Sequence, residues 1–323
     1  MIEVTDVSKR YGDVVALDGV TLSVPDGASL GLAGTNGAGK TTLFRLLVGH
    51  ARPDAGSVRV AGVDPTDGTR VRERAGYLPE NAGFQPALTG AEVLGYYADM
   101  RGEGADPART DRLLSVVGLG DAGDRPVGGY SNGMNRRLGL AVALLGDPDV
   151  LLLDEPTAGL DPNGVDAFNR VVERIREERD VTVLLSSHVL GEVEALCDRV
   201  AVLDAGALRT VGTVEEVTRA AGETVTVTAR YPDERALASA TESVRSSLGD
   251  DGSAPERAEG ESAPAFAVGE TDLELAVDPD AATEALAAVV ETDPESVSVD
   301  EPDLEAAVRS TVAPGAGEGG ERA

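Results

Sequence analysis

Cysteine occurs once in the 323 residues, at Cys197, and tryptophan not at all. One cysteine excludes an intrachain disulfide and a cysteine-cluster metal site, which leaves Cys197 as a buried structural thiol. Lysine is nearly absent too: only Lys9 and Lys40 among 28 basic residues, the remaining 26 being arginine. No apolar run approaches the roughly 18–20 residues that a membrane-spanning helix needs. The longest, around Leu138–Leu145 and Val150–Leu153, are short and broken by Gly146, Asp147 and Pro148. The N-terminus, Met1-Ile2-Glu3-Val4, has neither a basic nor an apolar leader segment, so no signal peptide is expected and the chain is predicted to be cytoplasmic. Positive charge is also in deficit. A net charge of −29 and a pI near 4.3 disfavour nucleic acid as a partner. The acidic residues are spread rather than blocked, which suits solvation of the surface more than a dedicated acidic binding site.

What is present is organised around Gly34-Thr35-Asn36-Gly37-Ala38-Gly39-Lys40-Thr41-Thr42, which fits G-x-x-x-x-G-K-[ST], a phosphate-binding loop. Glycines let the backbone turn its N–H groups inward at phosphate oxygens. Lys40 is expected to reach the β- and γ-phosphates, and the Thr41 hydroxyl to meet Mg²⁺. Ala28–Ala33 reads as a buried strand before the loop. Thr42–Val48 reads as a helix after it, its positive dipole end towards the phosphates. Lys40 is retained where lysine is otherwise almost unused, as expected where a compact ammonium is needed.

Three further segments carry candidate chemistry. Ser131 sits at the N-cap of a helix running to Leu145 and makes a second anion site that needs a phosphate from elsewhere. Val150-Leu151-Leu152-Leu153-Asp154-Glu155 reads as a central parallel strand ending in two carboxylates. Asp154 is expected to hold the Mg²⁺ shell and Glu155 to orient and deprotonate the attacking water. Val181–Ser187 is another buried strand, and it ends at His188, which falls on the same sheet edge as Lys40 and Asp154 and suits a γ-phosphate contact. Tyr11 lies 23 residues before the loop, where it serves either as an adenine-stacking ring or as the cap of a hairpin.

The remaining pattern gives the organisation. Ile2–Val7, Val14–Leu17 and Val20–Val24 read as strands of an N-terminal antiparallel sheet. Ser57–Gly62 and Ala75–Asn81 add strands, Ala158–Pro162 is a turn, and Glu92–Met100 and Pro107–Val117 read as a helical insertion. Residues 1–220 hold 22 basic and 33 acidic residues, whereas 221–323 hold 6 and 24. The second stretch shows strands at Thr224–Ala229, Leu273–Val277 and Ser296–Val299, and helices at Glu234–Leu248, Ala281–Glu291 and Asp303–Val312. The expected fold is therefore α/β: a phosphate-loop NTPase core over 1–220, with a parallel sheet, flanking helices, an N-terminal antiparallel sheet and a helical insertion, followed by a small acidic α+β domain over 221–312. Residues 249–265 read as a disordered loop and 313–323 as a flexible tail.

In this order and spacing, the loop, the signature helix, the acidic pair, the Gly159-Leu160-Asp161-Pro162 turn and the strand-end histidine resemble the ATP-binding subunit of an ABC transporter, over about two-thirds of the chain. The resemblance implies that Tyr11 stacks on adenine and that Gly34 to Thr42 cradle ATP. It implies that Ser131 and Gly133 belong to the signature motif, that Asp154 and Glu155 are the Mg²⁺ and water-positioning carboxylates, that Asp161 contacts a second subunit and that His188 is the switch histidine. Two positions depart from the family pattern. The usual Leu-Ser-Gly-Gly-Gln is Tyr130-Ser131-Asn132-Gly133-Met134, and the loop glutamine that ligates Mg²⁺ is Glu80. These departures resemble the exporter branch, in which a separate ATPase pairs with a six-helix permease and often carries a small C-terminal domain. Gly76–Asn81 with Phe84 and Pro86 is similar to the ATPase that serves copper-site maturation in nitrous oxide reductase. The acidic composition resembles cytoplasmic proteins of salt-accumulating halophiles.

The implied partners are a membrane permease and a second copy of the chain, around two Mg-ATP at the cytoplasmic face. A soluble ABC ATPase fits less well: ribosome-acting members carry two ATPase units and this chain has one loop, and DNA-repair members need a long coiled coil where only 91 residues separate Lys40 from Ser131. An importer ATPase remains the other alternative, since the ATPase does not encode direction.

Overall fold

A computed structural model describes residues 1–67, 69–104, 106–220, 225–248, 265–278, 281–300, 304–305 and 307–308. They form two compact units, divided after Val217. Along the first unit run β1 (Ile2–Tyr11), β2 (Val14–Val24), β3 (Ser29–Ala33), α1 (Lys40–Leu47), β4 (Ala55–Val60), α2 (Arg70–Arg74), β5 (Ala75–Leu78), α3 (Gly90–Met100) and α4 (Pro107–Val116). Then come α5 (Asn132–Ala143), β6 (Val150–Asp154), α6 (Pro162–Glu178), β7 (Thr182–Ser187), α7 (Leu190–Leu196), β8 (Arg199–Asp204) and β9 (Ala207–Thr213), and the division falls within α8 (Val214–Ala220).

Aliphatic runs with no polar alternation give strands buried on both faces, and every residue of β3, β6 and β7 is buried. They sit inside a six-stranded sheet of order β5-β6-β7-β3-β8-β9, parallel except for β9. An antiparallel sheet of order β2-β1-β4 packs its apolar face towards the same core. α1 fills the space between, with Leu43, Phe44, Leu46 and Leu47 buried among Val4, Val20, Leu30, Leu32, Leu152 and Leu184. The helix starts are written locally: Thr89 and Glu92 form a capping box on α3, Asp106 caps α4, Ser131 caps α5, and Asp161 followed by Pro162 opens α6.

Register places the functional edge. Ala33 pairs with Ser187, and Asp154 with Ser186. The phosphate loop, the acidic pair and His188 thus leave three adjacent strands at one carboxyl edge, where ligands bind in parallel sheets.

The expected break between Val14–Leu17 and Val20–Val24 is absent. β2 is one strand, and the irregularity lies in its pairing with β1, where register shifts between Val4 and Val7 and again before Lys9. Gly19 N–H donates to Ser8 Oγ at 3.0 Å there, so the Asp18-Gly19 pair is held in the sheet instead of turning out of it. The helix expected to reach Leu145 ends at Ala143. α6, α7, β8 and β9 have no counterpart in the sequence reading, although Phe168, Val171, Val172 and Ile175 recur at helical spacing along α6 and are all buried.

A polar knot ties β3 to the elements behind it. Asp198 accepts from Ser29 N–H and Oγ at 3.1 and 2.7 Å and from Arg176 at 2.8 Å, while Ser29 Oγ accepts from Asp198 N–H. Ser29 is fully buried. Replacing Asp198 with alanine strands both Ser29 donors, and a loss of about 1–3 kcal/mol is expected in urea unfolding at high salt. Burial acts to raise the Asp198 carboxyl, but the Ser29 and Arg176 hydrogen bonds outweigh it and hold the group below the usual aspartate value. A folded value below the unfolded one means that the contribution is present above the unfolded value and is lost as pH falls through the folded one. The parent should therefore lose stability more steeply than Asp198→Asn below about pH 4.

The second unit contains β10 (Val225–Arg230), α9 (Glu234–Ser247), β11 (Ala265–Val268), β12 (Asp272–Val277), α10 (Ala282–Val290) and β13 (Ser296–Asp300). Its antiparallel sheet runs β11-β12-β10-β13, and with the order β-α-β-β-α-β this is the split β-α-β topology of ferredoxin-like folds. Val225, Val227, Leu273 and Leu275 face Leu237, Val244 and Val289 in its core. β11 begins at Ala265, the last residue of the stretch read as disordered; residues 249–264 and 313–323 lie outside the described residues, as does most of the helix expected at Asp303–Val312. Among the described residues, no helix is long and apolar enough to cross a membrane.

Candidate functional site

The turn out of β3 cannot carry a side chain at its first residue. Gly34 takes φ +156°, and a Cβ there would lie 2.2 Å from the Leu203 carbonyl oxygen on β8. With the loop pressed this close, Ala38 N–H closes on the Thr35 carbonyl at 3.1 Å and α1 starts directly at Lys40. Lys40 is 6% exposed, and its ammonium has three acceptors: the carbonyls of Gly34 at 2.6 Å and Thr35 at 3.3 Å, and Glu155 Oε1 at 3.2 Å. Two belong to the loop itself, so the backbone aims the cation.

A cleft of about 290 Å³ opens over this loop, lined by Thr35, Asn36, Gly37, Gly39, Lys40, Thr41 and Thr42 on one side and by Glu80, Glu155, Ala158 and His188 on the other. Val14, Val15 and Ala16 of β2 form a third wall.

The two carboxylates at the end of β6 are held differently. Asp154 is 1% exposed. Ser186 Oγ donates to its Oδ1 at 2.7 Å and the Tyr77 hydroxyl to its Oδ2 at 3.4 Å. Burial pushes its carboxyl above the usual range, the Ser186 hydrogen bond pulls it part of the way back, and the Glu155 and Glu80 charges push it up again. Tyr77 is itself pushed up to about 12, by burial first and then by Asp154. Glu155 sits in the left-handed region at φ +45°, an uncommon conformation for a residue with a side chain. Its backbone is fixed at both ends: N–H donates to Ser186 Oγ at 2.9 Å, and the carbonyl accepts from the Arg136 guanidinium. This swings the carboxylate into the cleft, where Oε2 meets His188 Nδ1 at 2.7 Å and Oε1 meets Lys40.

Of the residues singled out from sequence, Thr35, Asn36, Gly37, Gly39, Lys40, Thr41, Thr42, Glu80, Glu155 and His188 line one cleft. Gly34 and Ala38 support the loop, and Asp154 lies beneath it. Tyr11 does not line the cleft. It pairs with Val14 at the end of the β1–β2 hairpin, exposed, with the Lys9 ammonium 5.5 Å from its ring centre, and β2 supplies the wall instead. Ser131 and Gly133 also stand outside the cleft. Ser131 Oγ accepts from Met134 N–H at 3.2 Å as the cap of α5. Asp161 caps α6 through Gly164 N–H.

Three positioning groups escaped the sequence reading. Ser186 serves both acidic residues, donating to the Asp154 carboxylate and accepting from the Glu155 N–H. Arg136, buried, donates to the Pro79 carbonyl at 2.6 Å as well as to Glu155, joining the Glu80 segment to the acidic pair. Tyr77 reaches Asp154 from β5. The adjacent serines before His188 were the one visible hint.

A phosphate loop between strand and helix, with an acidic pair at the end of a neighbouring parallel strand, defines a nucleotide-hydrolysing P-loop ATPase. The family model described as ABC transporter matches residues 17–158. A Nod factor export ATP-binding protein of Burkholderia orbicola is 42% identical over 210 residues, covering 64% of this chain and 68% of that protein. A daunorubicin resistance ATP-binding protein of Streptomyces coeruleorubidus is 43% identical over 220 residues, covering 67% and 69%. A solved ATP-binding subunit of an ABC transporter, 29% identical, superposes with a TM-score of 0.60 over 68% of this chain and 92% of its own. The chain belongs to the ATP-binding subunits of ABC transporters and is an ABC-type ATPase. The copper-maturation subgroup gains no support from these names.

Proposed function

We propose that the chain is the ATP-hydrolysing subunit of an exporter, paired with a second ATPase subunit and docked at the cytoplasmic face of the membrane on a separate permease. The observation that carries the hydrolytic part is the convergence of Lys40, Glu155 and His188 within hydrogen-bonding reach. The exporter part rests on the export and resistance names of the relatives.

The Gly34–Thr42 loop would cradle the phosphates, with Lys40 on the β- and γ-oxygens. Tyr11, exposed at the hairpin beside the Val14–Ala16 wall, is the candidate ring for adenine. Mg²⁺ fits the residues present: a hydroxyl at Thr41 and carboxylates at Asp154 and Glu80 are the all-oxygen set a hard cation takes, and burial raises the Asp154 carboxyl, a penalty that a bound cation would offset. Bound there, Mg²⁺ would neutralise charge on the phosphates. Glu155 would accept a proton from the attacking water, and His188, hydrogen-bonded to it, would hold its orientation and meet the γ-phosphate. The α5 N-terminus, with Ser131 and Gly133, lies outside its own chain's cleft, so its anion site would serve the nucleotide of a second copy. Asp161 would lie at that junction.

The permease would dock along Glu80–Tyr97. Here a groove is lined by Phe84, Pro86 and Tyr130, and Tyr96 and Met100 are exposed on α3 beside the Phe84–Tyr97 edge contact. The net charge of −29 fits a salt-rich cytoplasm that screens self-repulsion. A narrower reading, an ATPase for copper-site maturation, rests only on Gly76–Asn81, Phe84 and Pro86. Tagging the chain in its native host and extracting membranes gently in high salt should recover a stoichiometric multi-span permease, whose identity narrows the cargo. Recovery from the soluble fraction alone would count against transport.

A further inference from the structure

A buried carboxylate outside the cleft joins two of the segments that frame it. Glu192, on α7, is 7% exposed, and its Oε2 accepts from Thr157 Oγ1 at 2.5 Å and from Ser187 Oγ at 2.9 Å. Both hydroxyl residues are buried as well. Thr157 belongs to the turn that follows Glu155; its carbonyl accepts from Leu160 N–H at 3.0 Å, so it anchors the segment leading to Asp161. Ser187 precedes His188, and its Oγ accepts from Val189 N–H at 3.0 Å, which pins the backbone on both sides of the histidine. One oxygen therefore holds the turn and the histidine in a fixed relation.

The mount of that oxygen is rigid. α7 is pressed on β3 so closely that a Cβ at Gly31 would lie 2.3 Å from Val193 Cγ1. Val193 and Leu196 are buried. β3 is the strand that ends in the phosphate loop, so Glu192 is referenced to Lys40 through the sheet, and the turn and the histidine segment are referenced to Glu192. A glutamate here is not needed for packing alone, because a buried carboxylate is costly unless its acceptors are used.

We infer that Glu192 is a positioning residue, a strut that couples the Thr157–Asp161 turn to His188 so that displacement of either moves the histidine off Glu155. The hydrolytic consequence rests on the function proposed above; the structural consequence does not. A misplacement of about 1 Å at a reacting group costs up to about 100-fold in rate.

The test uses the purified full chain in high salt, with Glu192→Ala, Glu192→Gln, Thr157→Val and Glu192→Ala/Thr157→Val. The amide oxygen of glutamine can still accept both hydroxyls. Two readouts are taken: steady-state ATP hydrolysis, and the imidazole signals of the two histidines by NMR. His50, beyond the C-terminal end of α1 and edge-on to Tyr77 at 6.2 Å, is the internal reference for an intact fold. Glu192→Ala and Thr157→Val should each lower kcat about 10- to 100-fold with KM unchanged, the double variant should be no worse than Glu192→Ala, and Glu192→Gln should stay near the parent. The His188 signals should move in Glu192→Ala and Thr157→Val and not in Glu192→Gln, while the His50 signals stay. If Glu192→Ala fails to fold, Thr157→Val carries the same readouts. Unmoved His188 signals, or unchanged kcat, in a folded Thr157→Val or Glu192→Ala overturns the strut. A parent that does not hydrolyse ATP sinks the proposed function instead, and the His188 signals still decide the strut.

Discussion

Glu155→Gln should bind Mg-ATP as the parent does and hydrolyse it about 100- to 10,000-fold more slowly, the range that a positioned general base contributes. The substitution keeps the shape and both side-chain positions. It removes the negative charge that faces Lys40 at 3.2 Å and the carboxylate that meets His188 Nδ1 at 2.7 Å. The backbone anchors to Ser186 and Arg136 involve main-chain atoms only, so the left-handed turn at this residue should persist. Nucleotide affinity should hold or rise, because the ammonium no longer divides its attraction between a phosphate and a carboxylate. Single-turnover hydrolysis beside equilibrium nucleotide binding separates the two effects.

Lys40→Met should weaken ATP binding by about 100-fold or more, read by titration calorimetry. A hydrogen bond to a charged group contributes about 1.5–3 kcal/mol, and about 2.7 kcal/mol is 100-fold in affinity. Methionine keeps the buried stem and discards the ammonium. Three acceptors then converge with no cation among them, the Gly34 and Thr35 carbonyls and Glu155. Lys40→Arg should fail almost as badly. A planar guanidinium does not reproduce a point charge seated between two loop carbonyls. That arginine supplies 26 of the 28 basic residues of the chain makes the lysine here a choice of geometry rather than of charge. Recovery of parental affinity by arginine would contradict this account of the loop.

Legibility in the sequence followed the range of the interactions. The phosphate loop was readable because its turn closes locally, Ala38 N–H on the Thr35 carbonyl at 3.1 Å, and leaves a fixed pattern of glycines. The acidic pair was readable because four consecutive aliphatics announce a doubly buried strand and its end. Their meeting in one cleft followed from the parallel edge rule. Ser186, Arg136 and Glu192 were not readable, because each acts through at least one partner 19 to 57 residues away and nothing local separates Arg136 from Arg137 beside it. Tyr11 was legible as either an adenine-stacking ring or a hairpin cap, and its pairing with Val14 sets the exposed ring at the end of β1, beside the Val14–Ala16 wall. The unbroken β2 was missed because Asp18-Gly19 is a turn signal locally, and bonds from distant partners override it, Gly19 N–H to Ser8 Oγ and Asp18 N–H to the Gly206 carbonyl.

The central claim is that two copies close on ATP, each supplying the α5 N-terminus to the phosphates held by the other. Light scattering of Glu155→Gln in high salt measures this directly. With Mg-ATP the mass should be twice the 33.1 kDa of one chain, and without nucleotide it should return to the single-chain value. A single-chain mass in saturating Mg-ATP, with binding verified in the same sample, would contradict the account.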